Sequence, residues 1–134
     1  MKTLEQQLAA YAYEKVKERL NEKKELRDKY GIWCVGTGQL VRNCGLAQAL
    51  AFLESKGAKN DAFKWLLCDL NDTPGLPNRE GSLLDRVTTN YDVADYVFAT
   101  QRIQRVLVYF KRFAVSVLGA DPTTREEGEG DSEE

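Results

Sequence analysis

Four cations near the C-terminus have the residue types and spacing that suit phosphate binding. Arg102 and Arg105 are three residues apart, and Lys111 and Arg112 follow two helical turns later. Residues 99–119 contain no acidic residue, so these cations have no counter-charge on their own segment. Arginine favours bidentate phosphate contacts, whereas lysine acts as a point charge. The set therefore predicts a surface that binds an external anion.

A second set of basic residues lies in the N-terminal third of the chain. Lys15 and Arg19 share one helical stripe at a spacing of four, and Lys17 and Lys24 lie on a neighbouring stripe. Acidic residues interleave with these bases, so ion pairs on a solvated face are the alternative interpretation. All the predicted phosphate-binding residues are Arg102, Arg105, Lys111, Arg112, Arg42, Lys15, Lys17, Arg19 and Lys24.

Histidine is absent from the chain, which lowers the expectation of an enzyme. Its absence removes the commonest acid–base catalyst at neutral pH, the Ser-His and Cys-His nucleophile pairs, and the most frequent transition-metal ligand. Four acidic residues surround a proline-rich loop at irregular spacing, and helix capping explains them better than a metal cluster. They are Asp69, Asp72, Glu80 and Asp85. We predict no catalytic residue, metal, cofactor or small-molecule substrate.

The cysteine count and the hydropathy indicate the compartment in which the protein functions. Cys34, Cys44 and Cys68 are odd in number and form no CxxC pair, so we expect apolar core residues in a reducing cytoplasm. No apolar run approaches the roughly 18–20 residues that span a membrane. The N-terminus lacks the apolar region of a signal peptide. A cytoplasmic protein without membrane contact is therefore expected.

The glycine pair in GTGQLV raises the question of a phosphate-cradling loop. A dinucleotide fingerprint needs G-x-G-x-x-G after a strand, but valine stands at the third glycine position and no strand is predicted before it. No Walker A sequence occurs either. The competing interpretation is a helix whose glycines, each costing about 0.5–1 kcal/mol relative to alanine, allow close approach of another helix or a nucleic acid.

Charge divides the chain into a body and a tail. Residues 125–134 hold six acids and one base, whereas residues 1–124 hold 18 Lys/Arg against 15 Asp/Glu. We predict one helical domain over residues 1–120 and an acidic, disordered tail over residues 121–134. The tail is expected to aid solubility, and the alternative is that it competes with nucleic acid for the basic face.

Periodicity and caps predict the first helices. Thr3 and Gln6 form a capping-box pattern before a helix from Leu4 to about Lys29, with Gly31 as its stop. A second helical pattern covers Ile32 to Ser55, with Gly57 as the residue after the helix end.

Two shorter helices and a long one follow. Asn60 is predicted to cap a helix over residues 61–70, and Ser82 with Asp85 a short helix after the loop. The last helix runs from Asp92 to Leu118 and ends at Gly119. Its predicted apolar stripe comprises Val93, Tyr96, Val97, Ile103, Val106, Leu107, Phe110, Phe113, Ala114 and Val117. The fold class is all-α: a compact bundle of about five helices, two or three of them long, without a sheet.

Three stretches resemble one known family. They are TLEQQLAAYAYEKVKE, NCGLAQALAFLESKG and ATQRIQRVLVYFKRFAVSVL, and their order and spacing cover roughly residues 2–120. The chain resembles the small helical subunit of the type III-B CRISPR effector, the Cmr RNA-targeting complex. The glycine-rich GIWCVGTGQ and the acidic tail depart from that family's pattern.

The resemblance implies a non-catalytic subunit in antiviral defence. Several copies would stack into a filament beside the subunits that carry crRNA, and would help to hold the target RNA paired with it. Its partners would be other subunits of the complex, copies of itself and that RNA. Two other classes stay open: a protein-only helical adaptor, and an enzyme that uses carboxylates.

Overall fold

Six α-helices form the part of the chain that the structure describes. The computed structural model describes residues 1–123, so most of the predicted acidic tail lies outside it. The helices are α1 (Leu4–Glu18), α2 (Lys24–Cys44), α3 (Leu46–Gly57), α4 (Asp61–Asn71), α5 (Leu83–Asp85) and α6 (Val93–Leu118). A 3-10 turn over Arg19–Asn21 follows α1, and a π-helical turn over Arg86–Asn90 follows α5. Within residues 1–123 the predicted all-α class is confirmed, with one helix more than the predicted five.

The predicted N-terminal caps are confirmed. The Thr3 side chain accepts from the backbone N–H of Gln6, and the Gln6 side chain accepts from the N–H of Thr3. Ser82 and Asp85 form a second capping box, and the Asn60 side chain caps α4. Each cap satisfies backbone donors that the first turn of a helix leaves unpaired. These contacts span two or three residues, which is why sequence alone predicts them.

The predicted first helix, Leu4 to Lys29, is wrong in its length. It ends at Glu18, and the chain turns through extended backbone at Glu22 and Lys23 before α2 begins. The residues on both sides favour helix, so local propensity does not mark the turn. Arg19 lies in this turn, and its side chain is buried against Asp69 of α4, a contact that no local pattern reveals.

Gly31 does not stop a helix, because it lies inside α2. A Cβ added to Gly31 would lie 3.2 Å from the Cβ of Ala120, so the glycine allows α2 to approach the end of α6 closely. Gly36 and Gly38 also lie within α2. The phosphate-loop interpretation of GTGQLV is therefore wrong, since these glycines belong to a continuous helix and not to a loop before one.

The second predicted helix, Ile32 to Ser55, is interrupted at Gly45. This glycine has φ +88° and ψ 160°, a conformation open essentially to glycine alone, and it separates α2 from α3. Gly57 is the last residue of α3 and not the residue after its end. A Cβ there would lie 3.3 Å from the backbone of Lys64, so Gly57 permits close contact between α3 and α4.

The long helix α6 packs against α1 and α2. The ring of Tyr11 contacts Phe110 and that of Tyr13 contacts Phe113, so α1 and α6 run parallel. Gly31 faces Leu118 and Gly38 faces Leu107, so α2 runs antiparallel to α6. The core lies between these helices, and α3 and α4 close it from the other side of α2.

Two predictions about buried residues need correction. Cys34 is buried, but Cys44 and Cys68 are exposed, so only one cysteine is a core residue. Val93 and Val97 are 80% and 49% exposed, although the predicted apolar stripe included both. The stripe is broader than the face that α1 and α2 cover. None of the helices within residues 1–123 is long and apolar enough to cross a membrane.

Candidate nucleic-acid interface

Lys111 and Arg112 are the cations of the predicted set that are most available to a ligand. Both are exposed on the C-terminal half of α6. Neither has an ion-pair or hydrogen-bond partner among residues 1–123. Two adjacent cations whose charges the fold does not neutralise favour the approach of an anion.

Lys17 of α1 is brought to the same edge of the molecule. Its ammonium lies over the ring of Tyr13, 4.6 Å from the centroid, and Tyr13 packs against Phe113 with 5.2 Å between the rings. Arg112 precedes Phe113 in the chain, so this contact joins the basic ends of both helices. We call Tyr13, Lys17, Lys111, Arg112 and Phe113 the α1–α6 edge. Exposed cations beside partly exposed rings can hold phosphates and stack on bases.

Arg105 has a partner that the sequence analysis did not anticipate. Its guanidinium pairs with the carboxylate of Glu5, and the hydroxyl of Tyr109 donates to the same carboxylate at 2.6 Å. The counter-charge comes from α1, not from α6 itself. An exposed pair of this kind is worth only about 0–1 kcal/mol, so a phosphate can replace the carboxylate.

Arg102 contacts the loop between α4 and α5. Its Nη1 donates to the carbonyl of Gly75 at 3.0 Å, and its guanidinium lies over the ring of Phe98 at 4.7 Å. Gly75 has φ +83°, and a Cβ there would collide with the guanidinium. Arg102 therefore positions the loop and does not face an open anion site.

Arg19 is buried, and its charge is paired inside the fold. It donates to both oxygens of Asp69 at 2.9 and 3.1 Å, and its guanidinium lies over the rings of Tyr30 and Trp65. The hydroxyl of Tyr30 donates to Asp69 at 2.6 Å. This cluster joins the 3-10 turn after α1 to α2 and α4. The guanidinium of Arg19 is therefore not available to a ligand at the surface.

Electrostatics in this cluster favours a permanent network. Burial raises the pKa of the Asp69 carboxyl, while the hydrogen bond from Tyr30 and the charge of Arg19 oppose that rise. Burial opposes the charge on Arg19, but Asp69 and Tyr30 together outweigh it and raise the pKa of the guanidinium. Burial also raises the pKa of Tyr30, which keeps its hydroxyl a donor. The paired charges and the hydrogen bond from Tyr30 hold the surrounding elements together.

Comparison with known proteins decides the family. The model of the CRISPR-associated protein Cas_Cmr5 family matches residues 4–117. The chain belongs to the Cmr5 family. The CRISPR system Cmr subunit Cmr5 of Thermus thermophilus is 35% identical over 118 residues, which is 88% of this chain and 98% of that protein. The resemblance found in the sequence is confirmed.

A crystal structure supports the same conclusion about the fold. It is that of a CRISPR-associated Cmr5 family protein from Thermus thermophilus, and it superposes with a TM-score of 0.76 at 31% identity. The match covers 88% of this chain and 99% of the other. The helical arrangement described here is thus that of the Cmr5 fold.

The remaining predicted cations of this Cmr5-family chain lie away from the α1–α6 edge. Lys15 lies over the ring of Tyr11, on the side of α1 opposite Lys17. Lys24 pairs with a carboxylate one turn later, Asp28, at 2.7 Å. Arg42 donates to Gln39 at 2.9 Å, near the end of α2. The structure therefore groups only Lys17 with the cations of α6.

Tyr13 was not among the residues predicted from the sequence to bind a ligand, although the sequence contains a pattern that points to it. Tyrosine precedes lysine by four residues twice on α1, at Tyr11–Lys15 and Tyr13–Lys17, and that spacing puts each ammonium over a ring. Tyr13 is 41% exposed, which leaves part of the ring available for stacking.

The acidic residues form no metal site in the described part of this Cmr5-family protein. No group of three or more potential ligands is found there. Asp85 caps a helix as predicted, but the capping interpretation of Asp69 is wrong, because its side chain pairs with Arg19 inside the protein.

Proposed function

We propose that this chain is a non-catalytic subunit of a CRISPR Cmr effector ribonucleoprotein in antiviral defence, and that it contacts target RNA through phosphates without recognising bases. Membership of the Cmr5 family supports a place among the subunits of such a complex. The observation that carries the RNA contact is the pair Lys111 and Arg112, exposed and without a partner among residues 1–123.

The α1–α6 edge suits a ligand with regularly spaced negative charge. Arg112 provides a planar donor group for phosphate oxygens, and Lys17 and Lys111 add point charges. Contacts of this type release counterions, so affinity falls steeply with salt, by about 0.7 log units per contact for each tenfold rise in salt with a single strand. No base edge needs to be recognised, which fits a subunit that serves any guide sequence.

Protein contacts within the complex are the second part of the proposal. Several copies stack beside subunits that carry crRNA and together hold the RNA paired with it. The exposed apolar side chains at the N-terminal half of α6, Val93, Val97 and Phe98, support a contact with a neighbouring subunit, since exposed apolar patches mark interaction surfaces. The chemistry of RNA cleavage belongs to another subunit in this scheme.

Charge reversal at the α1–α6 edge tests the proposal. The double variant Lys111→Glu with Arg112→Glu is compared with Lys59→Glu with Lys64→Glu, which changes the net charge equally at two exposed lysines outside the edge. Binding to fluorescent single-stranded RNA is measured by anisotropy at several salt concentrations. We expect the first variant to bind at least about tenfold more weakly and with a shallower salt slope, and the second to bind nearly as wild type.

Equal affinities of the two variants would overturn the proposed RNA edge. No measurable RNA binding by the wild-type protein, together with normal incorporation into the complex, would favour the protein-only helical adaptor. Val93 and Val97 give that second candidate its support, because they expose apolar surface away from the free cations of α6.

A further inference from the structure

The N-terminal half of α6 carries an apolar patch that residues 1–123 leave partly exposed. Val93, Val97 and Phe98 are 80%, 49% and 44% exposed, and Ala94 beside them is also exposed. Residues four apart lie on one ridge of a helix, so Val93–Val97 and Ala94–Phe98 form two neighbouring ridges. These four residues are the α6 patch, and three of them, Val93, Val97 and Phe98, form the densest group of exposed large apolar side chains in the described chain.

The cations near the α6 patch are already bound. Arg102 donates to the Gly75 carbonyl and covers one face of Phe98. Arg79 pairs with Asp95 at 2.9 Å. A phosphate would find no free cation here, in contrast to Lys111 and Arg112 on the other half of the helix.

The chain segment that leads into the α6 patch and contains it is acidic. Residues 72–98 contain five acids and two bases, Arg79 and Arg86. Arg86 donates to the carbonyls of Gly81 and Asn71 at 2.9 and 3.2 Å, so both bases are engaged within the fold. Glu80 is exposed, and its side chain has no ion-pair partner among residues 1–123. The net charge of −3 over this segment, five acids against two bases, repels RNA and attracts a cationic partner.

We propose that the α6 patch docks an amphipathic helix of another protein subunit of the effector complex. Aliphatic residues of that helix lie on the two ridges, and lysine or arginine residues at its border face the acidic segment 72–98. Ridges made of residues four apart fit the grooves of a second helix. The negative charge beside the patch favours a partner helix with basic residues. This inference rests on the proposed membership of the complex but not on the RNA contact. One helix thus divides its exposed surface between two ligands: protein at its N-terminal half and RNA at its C-terminal half.

A matched pair of valines on α6 tests the assignment. Val97 and Val108 are 49% and 45% exposed on the same helix, but only Val97 belongs to the α6 patch. The full-length variants Val97→Lys and Val108→Lys are added to the complex reconstituted from its other recombinant subunits. We expect Val97→Lys to lower the affinity of incorporation at least about tenfold and Val108→Lys to leave it within about twofold. Equal incorporation of the two variants would overturn the inference.

The sign of the partner's charge is tested at the same position. Val97→Glu removes the same apolar contact but matches a basic partner, so it should reduce incorporation less than Val97→Lys. Glu80→Lys should slow association, since the reversed border charge repels the incoming helix. A larger loss with Val97→Glu than with Val97→Lys would contradict the basic partner.

A photocrosslinker identifies the occupant directly. Benzoylphenylalanine at position 97 of the reconstituted complex should crosslink to a helical segment of another subunit that is apolar and basic, identified by mass spectrometry. Crosslinks to RNA or to a second copy of this chain would overturn the inference, as would none at all. The isolated Val97→Lys variant should bind RNA as well as wild type does. The proposed RNA contact is tested separately, by the double variant at Lys111 and Arg112, so the two proposals can fail independently.

Discussion

Arg105 of α6 pairs with Glu5 of α1, one hundred residues earlier in the chain. Tyr109 adds a hydrogen bond to the same carboxylate, which fixes Glu5 beside the basic half of α6. The pair explains why an arginine on a segment without acids is nevertheless neutralised. It also makes Glu5 a competitor of any phosphate that approaches Arg105.

Replacing Glu5 should therefore strengthen RNA binding. Glu5→Gln keeps an acceptor for Tyr109 but frees the charge of Arg105, so we expect about two- to threefold tighter binding of single-stranded RNA at low salt. The salt slope should steepen, by up to about 0.7 if one contact is gained. Glu54→Gln, at an exposed acid of α3, changes the net charge equally and should have less effect. Similar gains in both variants would assign the effect to net charge alone.

The buried pair of Arg19 and Asp69 predicts a large loss of stability when one partner is removed. Arg19→Met leaves a buried carboxylate, and Asp69→Asn leaves a buried guanidinium, so each should lower the free energy of unfolding by about 3–5 kcal/mol. The double variant Arg19→Met with Asp69→Leu should lose less stability than the two single variants lose together. Urea unfolding measures all three. Lys24→Met, which breaks an exposed pair, is the control and should change stability by less than about 1 kcal/mol.

The same pair predicts how the stability of Arg19→Met depends on pH. Burial raises the pKa of Asp69 and the charge of Arg19 opposes that rise, so the variant should have a still higher native pKa at this carboxyl. Its native state then binds a proton that the unfolded chain, with a pKa of about 3.9, has already released. The free energy of unfolding relative to wild type should fall as pH rises through the interval between the native pKa of Asp69 in wild type and its higher pKa in the variant. A constant difference across that range would contradict this account.

Gly75 should be less replaceable than another glycine with positive φ. Gly75→Ala combines a left-handed backbone with a collision against Arg102, whereas Gly119→Ala meets no atom within 4 Å. We expect Gly119→Ala to lower the free energy of unfolding by about 1–2 kcal/mol through the backbone alone, and Gly75→Ala to lower it by more. Thermal unfolding of both variants measures the difference. Equal losses would show that Arg102 moves aside without cost.

Local signals in the sequence predicted much of this fold. The caps at Thr3, Asn60 and Ser82 and the end of α6 at Gly119 depend on contacts within a few residues, and all are observed. The turn before α2 was missed, because it depends on the contact of Arg19 with a residue fifty positions away. Propensity carries no information about such a contact.

Which cations of the candidate site are exposed was predictable only in part, because local signals do not reveal distant partners. The lack of acids on residues 99–119 singled out Lys111 and Arg112, which are indeed exposed without partners in the described chain. It did not reveal that Arg102 and Arg105 have partners on a loop and on α1. Exposure of Val97 was also hidden, since periodicity shows which residues share a face but not how much of that face is covered.

The parallel packing of α1 against α6 has a consequence during synthesis. Tyr11 and Tyr13 find their aromatic neighbours about one hundred residues later, so α1 leaves the ribosome long before the helix that buries it exists. Contacts so distant in sequence form slowly, because a long loop must close first. The nascent chain therefore carries an apolar face of α1 exposed until translation is nearly finished, and a chaperone that shields that face would have the whole of that interval in which to act.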